Sequence, residues 1–380
     1  MRVLCSTPPM EGVFTPALPL LTALQRDGHE ISVATAPDML DRVRAANLPA
    51  VVAGPEAPAA AARAVSDPVF AEGSQPWRIG AVLFARVMAA EKLPVLQQIS
   101  ADFEPDLILH PPVDFAAPLV AAQRGIESVT YGTGLLLESE LMAAMAHWVA
   151  PLWHAADLRP DQHGGMYRHR YLDPVPRTLQ PDLGPATACA QPIRPTVSGD
   201  PDQPLPGWAD KLGARPTVYI SLGTVPIFNQ PQMFAPILDG LADMDIDVIV
   251  TVGRNNDSDA LGPQPRNIHV EQWLSLAAVL PHCAAVVCHS GAGTTLAALA
   301  HGLPLLLLPR GADQFPTAAA CRAADVAEVI APEQISAYSI RAGLEAVLAS
   351  DRSPVVRLST EIGQMPTAAA VAKELAIEFG

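Results

Sequence analysis

Short apolar runs alternate along this chain with stretches whose apolar residues recur at helical spacing. That alternation predicts an α/β fold with parallel sheets. Arg2–Ser6, His29–Thr35, Ala50–Ala53, Asp106–His110 and Glu127–Tyr131 read as strands. Pro16–Asp27 reads as a helix, with Pro in its first turn and Gly28 as its stop; Asp38–Ala46 and the long apolar Trp77–Ala101 follow. Glu138–Leu158 is a further helix. The rhythm breaks over Gln191–Pro216, rich in Pro, Gly and Asp, which reads as a linker. It then restarts, with strands at Thr217–Ser221, Asp247–Val252, Asn267–Glu271, Ala284–Val287, Leu303–Leu308 and Ala324–Ile330. Helices are expected at Pro231–Ala242, Leu276–Leu280, Thr295–His301, Pro332–Ser350 and Met365–Glu378. A pattern that stops and restarts predicts two similar domains, although no sequence repeat joins them.

The length of 380 residues gives room for two full cores. With 49% apolar and 17% charged residues, the chain reads as globular rather than disordered. A net charge of −15 argues against nucleic acid or an anionic membrane as partner. No uncharged apolar run reaches the roughly 20 residues of a membrane span. Met1 leads directly into a strand, so a cytoplasmic protein, monomeric or homodimeric, is expected. Cys5, Cys189, Cys283, Cys288 and Cys321 form no CxxC pair, which favours free thiols over structural zinc. Few Lys beside abundant Ala, Pro and Arg suggest a GC-rich bacterial coding sequence.

The chemistry concentrates where Ala284–Val287 runs into Cys288-His289-Ser290-Gly291-Ala292-Gly293-Thr294-Thr295. Small residues there let backbone N–H groups approach an anion, and the following helix N-terminus adds about half a positive charge. His289 can donate to a phosphate oxygen. The next apolar strand leads to Pro309-Arg310-Gly311-Ala312-Asp313-Gln314, whose Asp313 and Gln314 suit sugar hydroxyls. A diphosphate at one strand end and a sugar at the next is the layout of a nucleotide-sugar site. Ser221, Gly223 and Thr224 close an earlier strand, where α/β sheets place their ligands. Trp273 either stacks on a base or fills a domain core. Met142, Met145, Trp148 and Trp153 recur at helical spacing, as a core-packed face or as an adaptable apolar wall for an acceptor. After the first strand stands Ser6-Thr7-Pro8-Pro9-Met10-Glu11-Gly12, neither GxGxxG nor GxxxxGK[ST], which disfavours a dinucleotide oxidoreductase or P-loop NTPase.

These residues resemble the GT-B glycosyltransferases that use nucleotide sugars, and most of all their bacterial natural-product branch, which includes macrolide and enediyne antibiotic enzymes. The likeness spans Trp273–Gln314, Arg215–Thr224, Gly28–Thr35 and the Asp173-Pro174 to Leu179-Gln180 segment. It implies two Rossmann-like domains facing a central cleft: residues 1–195 for the acceptor, 196–216 as linker, 217–363 for the donor, and a C-terminal helix, 364–380, crossing back to the first domain. Closure of the domains about the linker is expected on donor binding. Trp273, with Leu274 beside it, would meet the base. His289, Gly291 and the N–H groups of Ala292, Gly293 and Thr294 would hold the diphosphate. Ser221, Gly223 and Thr224 would line the same site, and Asp313 and Gln314 would bind the sugar. The implied donor is a dTDP- or UDP-sugar, the acceptor an apolar aglycone, and neither metal nor further cofactor is called for.

Three departures from the family pattern matter. Val13 stands where the general-base His is usual. His110 and Pro111 occupy the place of its acidic partner, and Trp273-Leu274-Ser275-Leu276 lacks the usual aromatic-x-Pro-Gln. A general base is worth typically 10²–10⁴-fold, so another group would have to serve. Glu11 and His110 stand nearest, with Asp114 and Glu138 behind them. The expectation is an inverting glycosyltransferase of secondary metabolism. The alternatives are a catalytically silent nucleotide-sugar binder or auxiliary partner of another glycosyltransferase, and a nucleotide-sugar epimerase or hydrolase.

Overall fold

Two all-parallel sheets organise the protein, described here by a computed structural model over residues 1–71, 76–137, 139–181, 188–254 and 256–380. The first sheet holds β1 (Arg2–Ser6), β2 (Glu30–Thr35), β3 (Ala50–Val52), β4 (Leu107–His110), β5 (Glu127–Tyr131), β6 (Arg170–Asp173) and β7 (Ala190–Pro192). Its strand order is β3-β2-β1-β4-β5-β6-β7. The second holds β8 (Thr217–Ser221), β9 (Asp247–Thr251), β10 (Ile268–Glu271), β11 (Ala285–Cys288), β12 (Leu305–Leu307) and β13 (Ala327–Val329), in the order β10-β9-β8-β11-β12-β13. The first six strands of each sheet therefore follow one doubly wound plan. Order reverses at β1/β4 and at β8/β11, the two switch points where such sheets bind ligands.

The chain divides into two compact units. One comprises Met1–Pro174, Pro181–Arg194 and Pro366–Gly380; the other comprises Val175–Gln180 and Pro195–Met365. In the first unit alternate side chains enter opposite layers, as strand geometry requires. Val3, Cys5, Leu107 and Leu109 pack with Leu20, Leu24, Val371 and Leu375, while Leu4 and Ile108 pack with Leu96, Ala116 and Val120. The C-terminal helix, Ala368–Phe379, thus lies in the core of the first unit. In the second unit Val218, Ile220, Val248, Val250 and Val287 pack on Phe234, Ile237, Leu241, Ile340 and Leu344.

Several elements differ from the sequence reading. The helix expected at Thr295 begins at Ala292, so the small residues form its first turn instead of a preceding loop. The helical stretch from Trp77 divides into Pro76–Val82, a wide π-type segment Leu83–Met88, and Ala89–Phe103. Helices Ala116–Arg124, Gln314–Ala323 and Ser353–Gln364 and strands β6 and β7 were not anticipated. Residues expected to form a linker are largely fastened down. Gln191 and Pro192 lie in β7. Beyond them, Ser198 O accepts from Ala277 N at 3.2 Å, and Asp200 O accepts from Ser275 Oγ at 2.7 Å. Trp208 stacks on His269 at 4.7 Å and donates to Glu271 at 2.8 Å.

Candidate functional site

At the switch point of the second unit, Cys288 is in register with Ser221, and the chains then part. His289 follows Cys288 and lies between two glycines. A Cβ on Gly223 or on Gly291 would come within 2.4 Å of imidazole atoms, and Gly223 also has φ +85°. Neither position therefore admits a side chain unless the ring moves. The imidazole is 9% exposed, and its Nδ1 is buried without a partner. Burial pushes its pKa down to about 4; the Arg310 charge acts in the same direction, and the Ser221 backbone opposes both. At neutral pH the ring is uncharged, with one N–H to donate.

The residues around His289 present further polar groups. Gly291 caps the helix Ala292–Ala300 with no side-chain bond, so the N–H groups of Ala292, Gly293 and Thr294 have no acceptor within the helix. Gly293 is exposed, with nothing within 4 Å of where a Cβ would stand. Ser290 has φ +68°, rare for a residue with a side chain, and its buried hydroxyl has no partner.

After β12, the Gln314 side-chain oxygen accepts from Arg310 N at 2.8 Å and from Gly311 N at 3.2 Å. That acceptor fixes the loop. Asp313 precedes the helix Gln314–Ala323 but makes no cap bond. Its side chain reaches solvent although dense surroundings raise its carboxyl pKa, so it remains an accessible acceptor. Asn229 donates to Gly223 O at 2.6 Å and to Val252 O at 2.7 Å, while its Oδ1 is buried and unpaired. Thr224 is exposed. Trp273 is half-buried with the Arg254 guanidinium 3.7 Å from its ring centre, while Leu274 is 5% exposed and offers a ligand little beyond backbone.

Four buried polar atoms in these loops lack partners: Asn229 Oδ1, His289 Nδ1, Ser290 Oγ and Arg310 Nε. Each such atom costs about 1–3 kcal/mol if left unmet, so a group of them at strand C-termini calls for partners from outside the chain, water or ligand. Sequence reasoning missed Asn229, Ser290 and Arg310. The signal available was a basic residue, Arg310, directly after an apolar strand; the left-handed backbone of Ser290 and the bonds of Asn229 are visible only in the structure.

The equivalent place in the first unit is closed. Lys92 Nζ donates to Asp114 Oδ2 at 2.7 Å and to Thr7 O at 2.9 Å, and Ser6 Oγ donates to the same carboxylate at 2.7 Å. Burial alone would raise the Asp114 pKa; the Lys92 charge and these hydrogen bonds outweigh it and hold the group below its usual range. A cavity of about 10 Å³ beside Lys92, Asp114, Phe84 and Met88 has room for about one water. His110, expected as a base, is 0% exposed, its ring facing Pro111 O at 3.1 Å and Thr130 Oγ1 at 3.4 Å. Burial lowers its pKa to about 4. Enclosed in this way, it cannot meet an acceptor, which corrects that expectation.

Glu11, at the start of the helix Glu11–Phe14, is half-buried and pairs with Arg42 at 3.0 Å; Val13 is half-buried on the same turn. Glu138 lies outside the described residues. The acceptor wall is also corrected. Met142, Met145 and Trp153 are at most 2% exposed and fill a core with Phe115, Leu119 and Met166, because the apolar face of Ser139–Ala155 packs inward. Of the four, Trp148 alone is half-buried. Among the described residues no three His, Cys, Asp or Glu cluster as a metal site would require, and no helix is long and apolar enough to cross a membrane.

Residues 22–223 match the N-terminal domain, and residues 235–377 the C-terminal domain, of the erythromycin biosynthesis protein CIII-like family. The chain is 30% identical to the L-demethylnoviosyl transferase of Streptomyces niveus, over 100% of this chain and 98% of that one. The solved glycosyltransferase SnogD of Streptomyces nogalater superposes with a TM-score of 0.79 at 25% identity, covering 100% of this chain and 99% of that one. The spinosyn rhamnosyltransferase SpnG, solved with thymidine diphosphate, superposes with a TM-score of 0.80 at 22% identity, over 99% and 100%. With two family domains matched, a full-length relative and a shared GT-B fold, the chain belongs to the erythromycin biosynthesis protein CIII-like family and is a glycosyltransferase of the antibiotic-biosynthesis type.

Proposed function

We propose that this chain is an inverting transferase that moves a sugar from a dTDP- or UDP-sugar to an apolar natural-product aglycone. The second unit takes the donor and the first unit the acceptor. The observation that carries this reading is the group of unpaired buried polar atoms in the loops after β8, β11 and β12, together with a helix N-terminus after β11 that has no side-chain cap. His289 donates to the diphosphate, joined by the N–H groups of Ala292, Gly293 and Thr294. Asp313 and the Gln314 amide take sugar hydroxyls, while Ser221 and Thr224 line the site and Trp273 meets the base. The thymidine diphosphate held by SpnG favours a thymidine donor. As the acceptor oxygen attacks the anomeric carbon, the bond from that carbon to the diphosphate oxygen breaks. The helix dipole and the His289 N–H stabilise the charge gathering on the departing diphosphate. Glu11 receives the acceptor proton, with Arg42 setting its orientation. An acidic phenol or enol acceptor would need little such help.

The test is a mass-spectrometric transfer assay with dTDP- and UDP-sugars against polyketide and phenolic aglycones, with a control lacking acceptor. Gain of one sugar mass by an aglycone, of inverted anomeric configuration, is expected. His289→Ala should lower turnover by about 10²–10³-fold. Donor consumed equally without acceptor, or wild-type rates in His289→Ala, would overturn the reading.

A further inference from the structure

We propose that Arg310 is a clamp for the donor's diphosphate, an anion ligand additional to His289 and the helix N-terminus. This rests on the donor-site reading above. Arg310 follows Pro309 at the C-terminal end of β12, beside β11, which leads into His289. Its Nε is buried without a partner, and its side chain makes no hydrogen bond or ion pair with any described residue. Four other arginines of this unit are answered: Arg215 pairs with Asp247, Arg322 donates to Val329 O at 2.7 Å, Arg352 donates to Ala284 O at 2.7 Å, and Arg254 lies over Trp273. Among the described arginines, Arg310 is the one whose guanidinium has a buried nitrogen without a partner, in a chain with 39 acidic and 24 basic residues.

The loop holds this cation in place. Gln314 Oε1 ties down the Arg310 N–H at 2.8 Å, and Ala312 adopts φ +53°, a conformation a side chain tolerates poorly. The group's charge reaches the neighbouring imidazole, where it helps keep His289 neutral. Neutral His289 supplies an N–H but no charge, and the helix terminus supplies only about half a charge. A nucleoside diphosphate brings at least two negative charges. A planar guanidinium with paired N–H groups is suited to that deficit and can bind phosphate oxygens in bidentate fashion.

The experiment is calorimetric binding of thymidine diphosphate, thymidine and inorganic pyrophosphate to the full chain, in wild type, Arg310→Lys and Arg310→Met. Circular dichroism and melting serve as fold controls. Arg310→Met should bind thymidine diphosphate about 10- to 100-fold more weakly, with thymidine affinity unchanged. Arg310→Lys should fall between. The His289 imidazole, followed by NMR, should titrate at higher pH in Arg310→Met. Equal affinity of wild type and Arg310→Met for thymidine diphosphate would overturn the proposal. So would parallel loss of thymidine and diphosphate binding together with a lower melting point, which would make the residue structural. Arginine-dependent binding of pyrophosphate, with no nucleotide binding in wild type, would retain the clamp and sink the nucleotide-sugar reading.

Discussion

The two switch points follow one plan and end in opposite chemistry. Each has a serine at the end of its first strand, Ser6 or Ser221, and a histidine at or just beyond its fourth, His110 or His289. Both imidazoles are pushed to about 4 by burial. In the first unit the charged groups satisfy one another: Lys92, Asp114 and Ser6 form a closed set, and both ring nitrogens of His110 meet protein atoms, while Thr35 Oγ1 and Tyr131 OH at neighbouring strand ends lack partners. In the second unit a comparable set of buried groups is left open, with His289 Nδ1, Ser290 Oγ, Arg310 Nε and Asn229 Oδ1 unmet. Burial and a shifted pKa therefore do not by themselves mark a functional group. What separates the two places is whether the cation has a partner: Lys92 is paired with Asp114, and Arg310 Nε is unmet.

Breaking the closed set should produce the largest effect. Lys92→Met leaves the Asp114 carboxylate buried without its cation, a loss of about 3–5 kcal/mol. Hydrogen exchange should show it across β1 and β4, with thymidine diphosphate affinity unchanged. Adding Asp114→Asn should restore much of the loss. Donor affinity falling in step with stability would contradict the separation of the two roles.

Acid should sharpen the comparison next. The two histidines have native pKa values near 4 against an ordinary 6.5, so the unfolded chain binds more protons between those values. The stabilisation they give is complete above pH 6.5 and is lost as pH falls towards 4, at most about 3 kcal/mol each. Saturating thymidine diphosphate should lessen the pH sensitivity of exchange around β11, because an anion beside His289 favours its proton, and should leave that around β4 as it was. Equal response at both strands would dissolve the distinction.

The smallest predicted effect is steric. Gly291→Ala puts a methyl group 2.4 Å from His289 Nε2. Displacing the ring should weaken thymidine diphosphate binding by about tenfold, roughly 1.4 kcal/mol. Gly12→Ala, with nothing within 4 Å, should leave binding alone. Unchanged calorimetric affinity in Gly291→Ala would show that the ring yields freely.

Legibility followed the range of the interactions involved. Strands β1, β5 and β8 are legible to the residue because Arg2–Ser6 and Thr217–Ser221 are largely apolar runs and Glu127–Tyr131 alternates Val129 and Tyr131 with polar residues, each bounded by turn signals. Strands β6 and β7 escaped because Arg170–Asp173 and Ala190–Pro192 are short and partly polar; it is pairing such as Tyr171 with Ala190 that makes them strands. The helix after His289 was placed three residues late, since Gly291 and Gly293 have poor helix propensity. The Met and Trp spacing of Ser139–Ala155 announced an apolar face, but not whether that face meets core or ligand.

The sequence by itself determined the alternating α/β plan and placed His289 with its small neighbours, and Asp313-Gln314, just beyond the ends of two apolar strands. All of these depend on residue identity and short-range spacing. Tertiary structure alone decided that Lys92 closes over Asp114 and that His110 is sealed. It alone showed that Met142, Met145 and Trp153 are core and that Arg310 stands without a counter-ion. Each of those facts depends on which distant groups come within hydrogen-bonding reach, as when Lys92 and Asp114 meet at 2.7 Å across 22 residues of chain. Local patterning does not encode such meetings; the packing of helices on a completed sheet creates them.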